Sequence, residues 1–209
     1  MKIAREGYPL ILATAAFTIL AFMFAGKPIG LFLLFVTLAV AGFFRDPDRL
    51  IPTGEGLIVS PADGRVVSIV SIKPDSNSGT TATRVSIFLS PLDVHINRIP
   101  ITGKVEQVNY QPGQFLAAYK DEASSRNEQN TVELADERGR RLQVVQVAGV
   151  VARRIISRLY QGQQVHCGER FGLIMFGSRT DTYLPEECKI DVVEGQRVRG
   201  GETILARFV

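Results

Sequence analysis

The sequence predicts a mostly β protein, an antiparallel barrel or sandwich with barrel-sandwich-like hairpins and few short helices, preceded by a transmembrane or re-entrant helical hairpin. Three observations predict it. Between Tyr8 and Phe44 the one charged residue is Lys27, although 22% of the 209-residue chain is charged. From Leu57 onward the chain breaks into short β-branched runs punctuated by Gly, Pro, Asp and Asn, a strand-and-turn signature. The long apolar runs, the absence of heptads and the non-periodic glycines exclude a disordered chain, a coiled coil and a collagen. Two domains follow: residues 1–49 as a membrane-anchoring hairpin with its flanks, and residues 50–209 as a β domain long enough to bury a core.

The anchor comes first. Tyr8–Ala25 and Pro28–Phe44 are uncharged runs of 18 and 17 residues. As helices each reaches about 26 Å, a little short of a hydrocarbon core of about 30 Å, so they span with thinning or enter as a shallow hairpin. Gly26-Lys27-Pro28 breaks them, because proline removes a backbone donor and glycine disfavours helix. Lys2 and Arg5 precede the first run and Arg45 and Arg49 follow the second. That distribution predicts both ends in the cytoplasm and the β domain at the cytoplasmic face of the cell's inner membrane. A cleaved signal peptide is the competing reading, and the immediate second apolar run argues against it.

The β elements follow in order: Leu57–Ser60, Arg65–Ile72, Thr83–Leu89, Gly103–Tyr110, Asn130–Leu134, Leu142–Ile156, Arg170–Phe176, Lys189–Val193 and Glu202–Phe208. Several alternate, as in Val105-Glu106-Gln107-Val108 and the valines around Gln146. One helix fits, at Gln114–Ala123, where Phe115, Leu116 and Tyr119 fall at helical spacing. Val193 to Ala206, with Gly195, Gly200 and Gly201, has the pattern of the hairpins in lipoyl and biotinyl carriers, without a lysine in the carrier turn.

Charge narrows the function classes. Of the formal +3, +2 lies in residues 1–49 (Lys2, Arg5, Lys27, Arg45 and Arg49 against Glu6, Asp46 and Asp48), so the β domain is nearly neutral and offers no basic field for nucleic acid. Cys167 and Cys188 lack zinc-site spacing and no metal is expected; reduced thiols in a cytoplasmic domain fit them. The only histidines are His95 and His166.

Three short segments can carry chemistry. Ser60-Pro61-Ala62-Asp63-Gly64-Arg65 joins two strands and reads equally as a plain β-turn. Leu89-Ser90-Pro91-Leu92-Asp93-Val94-His95-Ile96-Asn97-Arg98-Ile99-Pro100 sets an acid, an imidazole, an amide and a guanidinium within six residues. If extended, it puts Asp93, His95 and Asn97 on one side. Arg170-Phe171-Gly172 leads through an apolar run to Gly177-Ser178-Arg179, where the strand expectation stops. This is not a Gly-x-Ser-x-Gly nucleophile elbow, since positions 176 and 180 are Phe and Thr.

In this order on one chain, the three segments make the sequence similar to the phosphatidylserine decarboxylase family, and closest to its short, membrane-hairpin form. The likeness runs from Phe43-Phe44-Arg45-Asp46-Pro47 to Leu205, and its specific parts are the His95 and Gly177-Ser178 segments. It implies a proenzyme that cuts itself between Gly177 and Ser178 into chains 1–177 and 178–209 that stay paired. Ser178 would attack the Gly177 carbonyl and end as a covalent pyruvoyl group. That group would form a Schiff base with the amine of phosphatidylserine and accept the electron pair left by CO2, giving phosphatidylethanolamine. By motif, His95 is the proton donor to the resulting carbanion and Asp63 the carboxylate that assists self-cleavage. Arg98, Arg126 and Arg179 are candidates to meet phosphate or carboxylate. The substrate partner is a phospholipid in the bilayer, and the family likeness implies a homo-oligomer. Longer bacterial members carry a second histidine where this chain has Arg98, which leaves open whether self-cleavage uses His95, His166 or no histidine. The alternatives are the same chemistry on an ether-linked archaetidylserine, a non-catalytic membrane-tethered β module, and a serine hydrolase, which lacks its elbow here.

Overall fold

A computed structural model describes residues 2–72, 82–116, 126–149, 154–175 and 178–209. The chain divides into two compact units, Met1–Asp48 and Arg49–Val209.

In the first unit, strand β1 (Lys2–Ile3) pairs antiparallel with β2 (Arg45–Asp46), closing the ends of a helical hairpin made of α1 (Tyr8–Phe24) and α2 (Lys27–Phe43). Gly26 stands between the helices with φ +89°, a conformation that glycine adopts without strain. Pro9 and Pro28 sit in the first turn of their helices, where the missing N–H has no intrahelical partner to lose. Thr18 and Thr37, the buried polar side chains facing each other across the hairpin, join by a 3.0 Å hydroxyl hydrogen bond. Phe17, Phe24, Phe32, Phe35 and their aliphatic neighbours point outward. The helical stretch Arg5–Phe24 is 20 residues long and apolar enough to cross a membrane, and Lys27–Phe43 is shorter.

The second unit is mostly β, a curled antiparallel half-barrel. Its strands are β3 (Leu57–Val59), β4 (Gly64–Ile72), β5 (Ala82–Leu89), β6 (Ile96–Arg98), β7 (Gly103–Gln111), β8 (Gln129–Ala135), β9 (Arg141–Val147), β10 (Ile155–Ser157), β11 (Gln164–Val165), β12 (Arg170–Ile174), β13 (Ser178–Pro185), β14 (Cys188–Ile190), β15 (Arg197–Val198) and β16 (Ile204–Phe208). The large sheet has the order β11-β7-β8-β9-β13-β5-β4-β15; smaller sheets are β10-β12-β6 and β14-β16-β3. Alternation in the sequence becomes alternation in burial: Val66, Val85, Ile87, Leu89, Val105, Val132, Leu134, Leu142 and Val144 face one core, joined by Ile58, Ile99, Phe171 and Leu205.

Three differences from the sequence reading bear on the site. The expected strand 142–156 is two strands in different sheets, β9 and β10, because the ladder stops at Val147; residues 150–153 lie outside the described residues. The expected helix 114–123 falls mostly on residues 117–125, also outside the described residues, and Gln114 itself makes an isolated bridge to Asn127. The third is the largest. No strand is assigned from the sequence between Phe176 and Lys189, yet Ser178–Pro185 is the strand β13, paired on both sides with β5 and β9.

Candidate active site

Strand β13 begins at Ser178 and is buried on both faces. Its inner face carries Ser178, Thr180, Thr182 and Leu184; its outer face carries Arg179, Asp181 and Tyr183. Ser178 stands opposite Leu89 on β5. Its side chain is fully enclosed, and its hydroxyl makes no hydrogen bond. The Thr180 and Thr182 hydroxyls on the same face are likewise enclosed and unpaired, each disfavoured by roughly 1–3 kcal/mol. Gly177, the residue before Ser178, lies outside the described residues.

Asp63 is at the turn from β3 into β4. The ladder Arg65–Phe88–Arg179 carries β4 across β5 to β13, so Asp63 and Ser178 share one end of the sheet, about two strand spacings or roughly 10 Å apart. Gly64 is required there, because a Cβ would overlap the Phe88 carbonyl. The Asp63 carboxylate takes both oxygens to Arg49 Nη2, at 2.9 and 2.7 Å, and its Oδ1 also accepts the Gly200 N–H at 2.8 Å. Burial raises its carboxyl above the ordinary value, against the opposing pull of Arg49 and of the Gly200 N–H, and nearby Asp93 raises it further.

His95 enters from the loop between β5 and β6 and is buried. Its Nδ1 lies 2.9 Å from the Asp93 carbonyl oxygen. A carbonyl accepts only, so Nδ1 carries a proton and Nε2 is the ring atom left to exchange one. Asp93 thus orients His95 through its backbone rather than its carboxylate. That carboxylate instead holds the loop, accepting Ser90 N–H at 2.8 Å and Arg197 Nη1 at 3.1 Å. The loop is also fixed to the strand that leads toward Ser178, since Ile174 N–H reaches the His95 carbonyl at 3.4 Å and β6 pairs with β12.

The fold therefore brings Ser178, His95 and Asp63 to one end of the β unit from three separate elements. Ser178 contacts neither group by hydrogen bond. The arginines are placed differently from one another. Arg98 is buried and donates to the Gly168 carbonyl at 3.0 Å. Arg179 is buried against Asp181, Nε to Oδ1 at 2.9 Å, and Arg126 is exposed. His166 is exposed beside a cleft of about 530 Å³ lined also by Ile51, Asp136, Arg140 and Cys167. Burial pushes the Cys167 and Cys188 thiols up to about 11, which leaves both protonated at neutral pH. Among the described residues no three His, Cys, Asp or Glu side chains cluster as metal ligands.

Sequence reasoning missed Arg49 and Gly200, the partners of Asp63, and a chain of buried amides formed by Asn130, Gln146 and Asn97. Arg49 reads as a topology charge in sequence, and nothing local marks it as the partner of a carboxylate 14 residues away.

Comparison with known proteins decides the family. A profile described as Phosphatidylserine decarboxylase matches residues 36–206. The chain belongs to the phosphatidylserine decarboxylase family. Its relatives include a phosphatidylserine decarboxylase proenzyme of Syntrophus aciditrophicus (strain SB), 42% identical over 99% of this chain and 97% of that one. Proteins of the same name from Wolbachia sp. subsp. Brugia malayi (strain TRS) and Azorhizobium caulinodans are 45% and 44% identical, over 99% and 100% of this chain and 91% and 90% of theirs.

Proposed function

We propose that the chain is a self-processing decarboxylase that converts phosphatidylserine to phosphatidylethanolamine at the cytoplasmic face of the inner membrane. The observation that carries the proposal is the enclosed, unbonded hydroxyl of Ser178 at the head of the central strand, with His95 and Asp63 delivered to the same end. Ser178 Oγ attacks the Gly177 carbonyl carbon, the peptide C–N bond breaks, and an ester replaces it. Loss of the Ser178 Cα proton expels the Gly177 carboxylate, and water removes the remaining nitrogen as ammonia, leaving a pyruvoyl group on residue 178. Asp63, held by Arg49 and the Gly200 N–H, is the carboxylate that assists these proton transfers. The buried, uncharged surroundings of Ser178 fit such a group, because Thr180, Thr182 and Leu89 offer no charge that would compete for it.

Once formed, the pyruvoyl carbonyl supplies an electrophile for the substrate amine and a sink for the electron pair released with CO2. The protein's own part is to return a proton to the α-carbon. His95 does this from Nε2 as the imidazolium, with its Nδ1–H held on the Asp93 carbonyl, and is left neutral. The apolar helices α1 and α2 keep the chain on the bilayer that holds the substrate, with Lys2, Arg5, Arg45 and Arg49 setting the orientation. Chains 1–177 and 178–209 stay together because β13 remains laced between β5 and β9 after the cut.

Intact mass of the purified protein is the test. Two chains with the masses of 1–177 and 178–209, the smaller with a blocked and ketone-reactive N-terminus, are expected from wild type. Ser178→Ala is expected to remain one folded chain without decarboxylase activity. A wild-type chain that is folded, membrane-bound, uncut and inert toward phosphatidylserine would sink the proposal.

A further inference from the structure

Behind Ser178 lies a relay of three buried side-chain amides. Asn130 Nδ2 donates to Gln146 Oε1 at 2.9 Å, and Gln146 Nε2 donates to Asn97 Oδ1 at 2.8 Å. Their residues are 3%, 0% and 0% exposed. Each link has one direction, so the relay fixes the Asn97 amide with its oxygen toward Gln146 and its Nδ2 turned away from it. That Nδ2 is enclosed and has no hydrogen-bond partner. Buried amide donors are normally satisfied, so an oriented and unsatisfied one calls for an acceptor that arrives from outside the chain.

Its position says where that acceptor belongs. Asn97 follows His95 by two residues, and the bond from Ile174 N–H to the His95 carbonyl carries the β6–β12 ladder back to His95. The two side chains therefore share a face, roughly 7 Å apart along the strand. On the other side, Gln146 stands opposite Thr180, which follows Ser178 by two residues on the inner face of β13. The Asn97 donor is thus bracketed by the imidazole and, through Gln146, by the strand that starts at Ser178. Gly172, opposite Asn97, is needed there, because a Cβ would overlap the Ile156 carbonyl and crowd the Gln146 amide.

We infer that Asn97 holds the carboxylate of the amino-acid head group through this N–H, with Gln146 and Asn130 acting as positioning residues. The inference rests on the decarboxylase reading above. In an α-amino acid the carboxylate carbon is bonded directly to the atom that His95 must protonate, so the two contacts belong side by side. The neutrality of the donor also fits. Loss of CO2 removes the negative charge, so a buried guanidinium clamp would hold the starting carboxylate more strongly than the transition state. Arg98 and Arg179 are turned to Gly168 and Asp181 instead. One neutral donor fixes the direction of the breaking bond and has nothing to hold once the product, a simple amine, has formed.

Asn97→Asp keeps the size and the bond from Gln146 but replaces the donor by an acceptor. With the full chain in mixed micelles, three readings are made: formation of the 178–209 fragment on a gel, kcat/KM for phosphatidylserine, and the inhibition constant of phosphatidylethanolamine. Expected are normal fragment formation, a fall in kcat/KM of about tenfold to a hundredfold, as for loss of a hydrogen bond to a charged group, and phosphatidylethanolamine inhibition unchanged within about twofold. Asn97→Ser, a shorter donor, is expected to recover part of kcat/KM and serves in its place if the aspartate variant does not fold. Wild-type kcat/KM in these variants, equal weakening toward both lipids, or loss of the fragment would each overturn the assignment. An uncut, inactive wild type would instead remove the decarboxylase reading.

Discussion

Two arginine–aspartate pairs in the β unit have the same chemistry and opposite surroundings. Arg49–Asp63 joins residues 14 apart, with side chains 7% and 16% exposed, and its carboxylate also gathers Gly200 from 137 residues away. Arg179–Asp181 joins neighbours on the outer face of one strand, with side chains 2% and 1% exposed. The first pair ties a turn, the segment before β3 and the segment after β15 into one corner, and so fixes where a titratable group stands. The second lies on one strand and is sealed from water. Buried ion pairs of that kind specify a structure more than they stabilise it, and breaking one is far more damaging than replacing it.

The largest effect expected from this comparison follows from that asymmetry. Arg179→Met removes the guanidinium that Asp181 holds at 2.9 Å inside the fold, and is expected to lower stability by about 3–5 kcal/mol in denaturant unfolding. The double variant Arg179→Met/Asp181→Leu is expected to recover most of it. If the double variant is no better than the single one, the pair is contributing directly to stability and the contrast fails.

Asp63→Asn comes next. Arg49 keeps Glu202, at 3.5 Å, so the fold should lose less than about 2 kcal/mol. The time course of the 178–209 fragment is expected to slow by about a hundredfold, the lower range for a group that assists proton transfer. Normal processing with a collapsed fold would make Asp63 another structural aspartate.

Arg49→Gln sharpens the same corner through pH. Arg49 pulls the Asp63 carboxyl down against the larger effect of burial, so removing it lets that carboxyl rise further. If the carboxylate form assists cleavage, the acid limb of the processing rate moves to higher pH. Stability follows the opposite rule: a raised carboxyl favours the folded state below the ordinary carboxylate range, and that contribution is lost as pH rises through the raised value. A processing profile that does not move would separate Asp63 from the rate-limiting proton transfer.

How legible these regions are in the sequence depends on where their partners lie. Strands such as β4, β5 and β7 announce themselves, because one face is apolar and the other polar. Strand β13 hides, because Ser178-Arg179-Thr180-Asp181-Thr182 is polar on both faces and is still buried on both. Period-two patterning signals a half-buried strand, and a strand packed with hydroxyls inside and an ion pair outside has no such period. Ser178, His95 and Asp63 stand out because each sits in a compact motif. Arg49, Gly200 and the amides of Asn130 and Gln146 do not, since their meaning comes from residues 14 to 137 positions away.

A third pair tests whether charge pairing alone explains either of the first two. Asp136 caps the hairpin between β8 and β9: its Oδ1 accepts the N–H groups of Arg138 and Arg140, and its Oδ2 lies 2.6 Å from Arg140 Nη2. These partners outweigh burial and hold its carboxyl below the ordinary value. A lowered carboxyl stabilises the fold above the ordinary carboxylate range, and the contribution disappears as pH falls through the folded value. Asp136→Asn is therefore expected to lower stability by no more than about 1 kcal/mol at neutral pH, and to flatten the loss of stability in acid. The hairpin closes at Ala135–Arg141, the far end of β8 and β9 from Val147, which pairs with Arg179. Fragment formation and turnover should not change. If Asp136→Asn slowed processing as Asp63→Asn does, ion pairing anywhere in the sheet would suffice, and the special place given to the Arg49–Asp63 corner would have to be withdrawn.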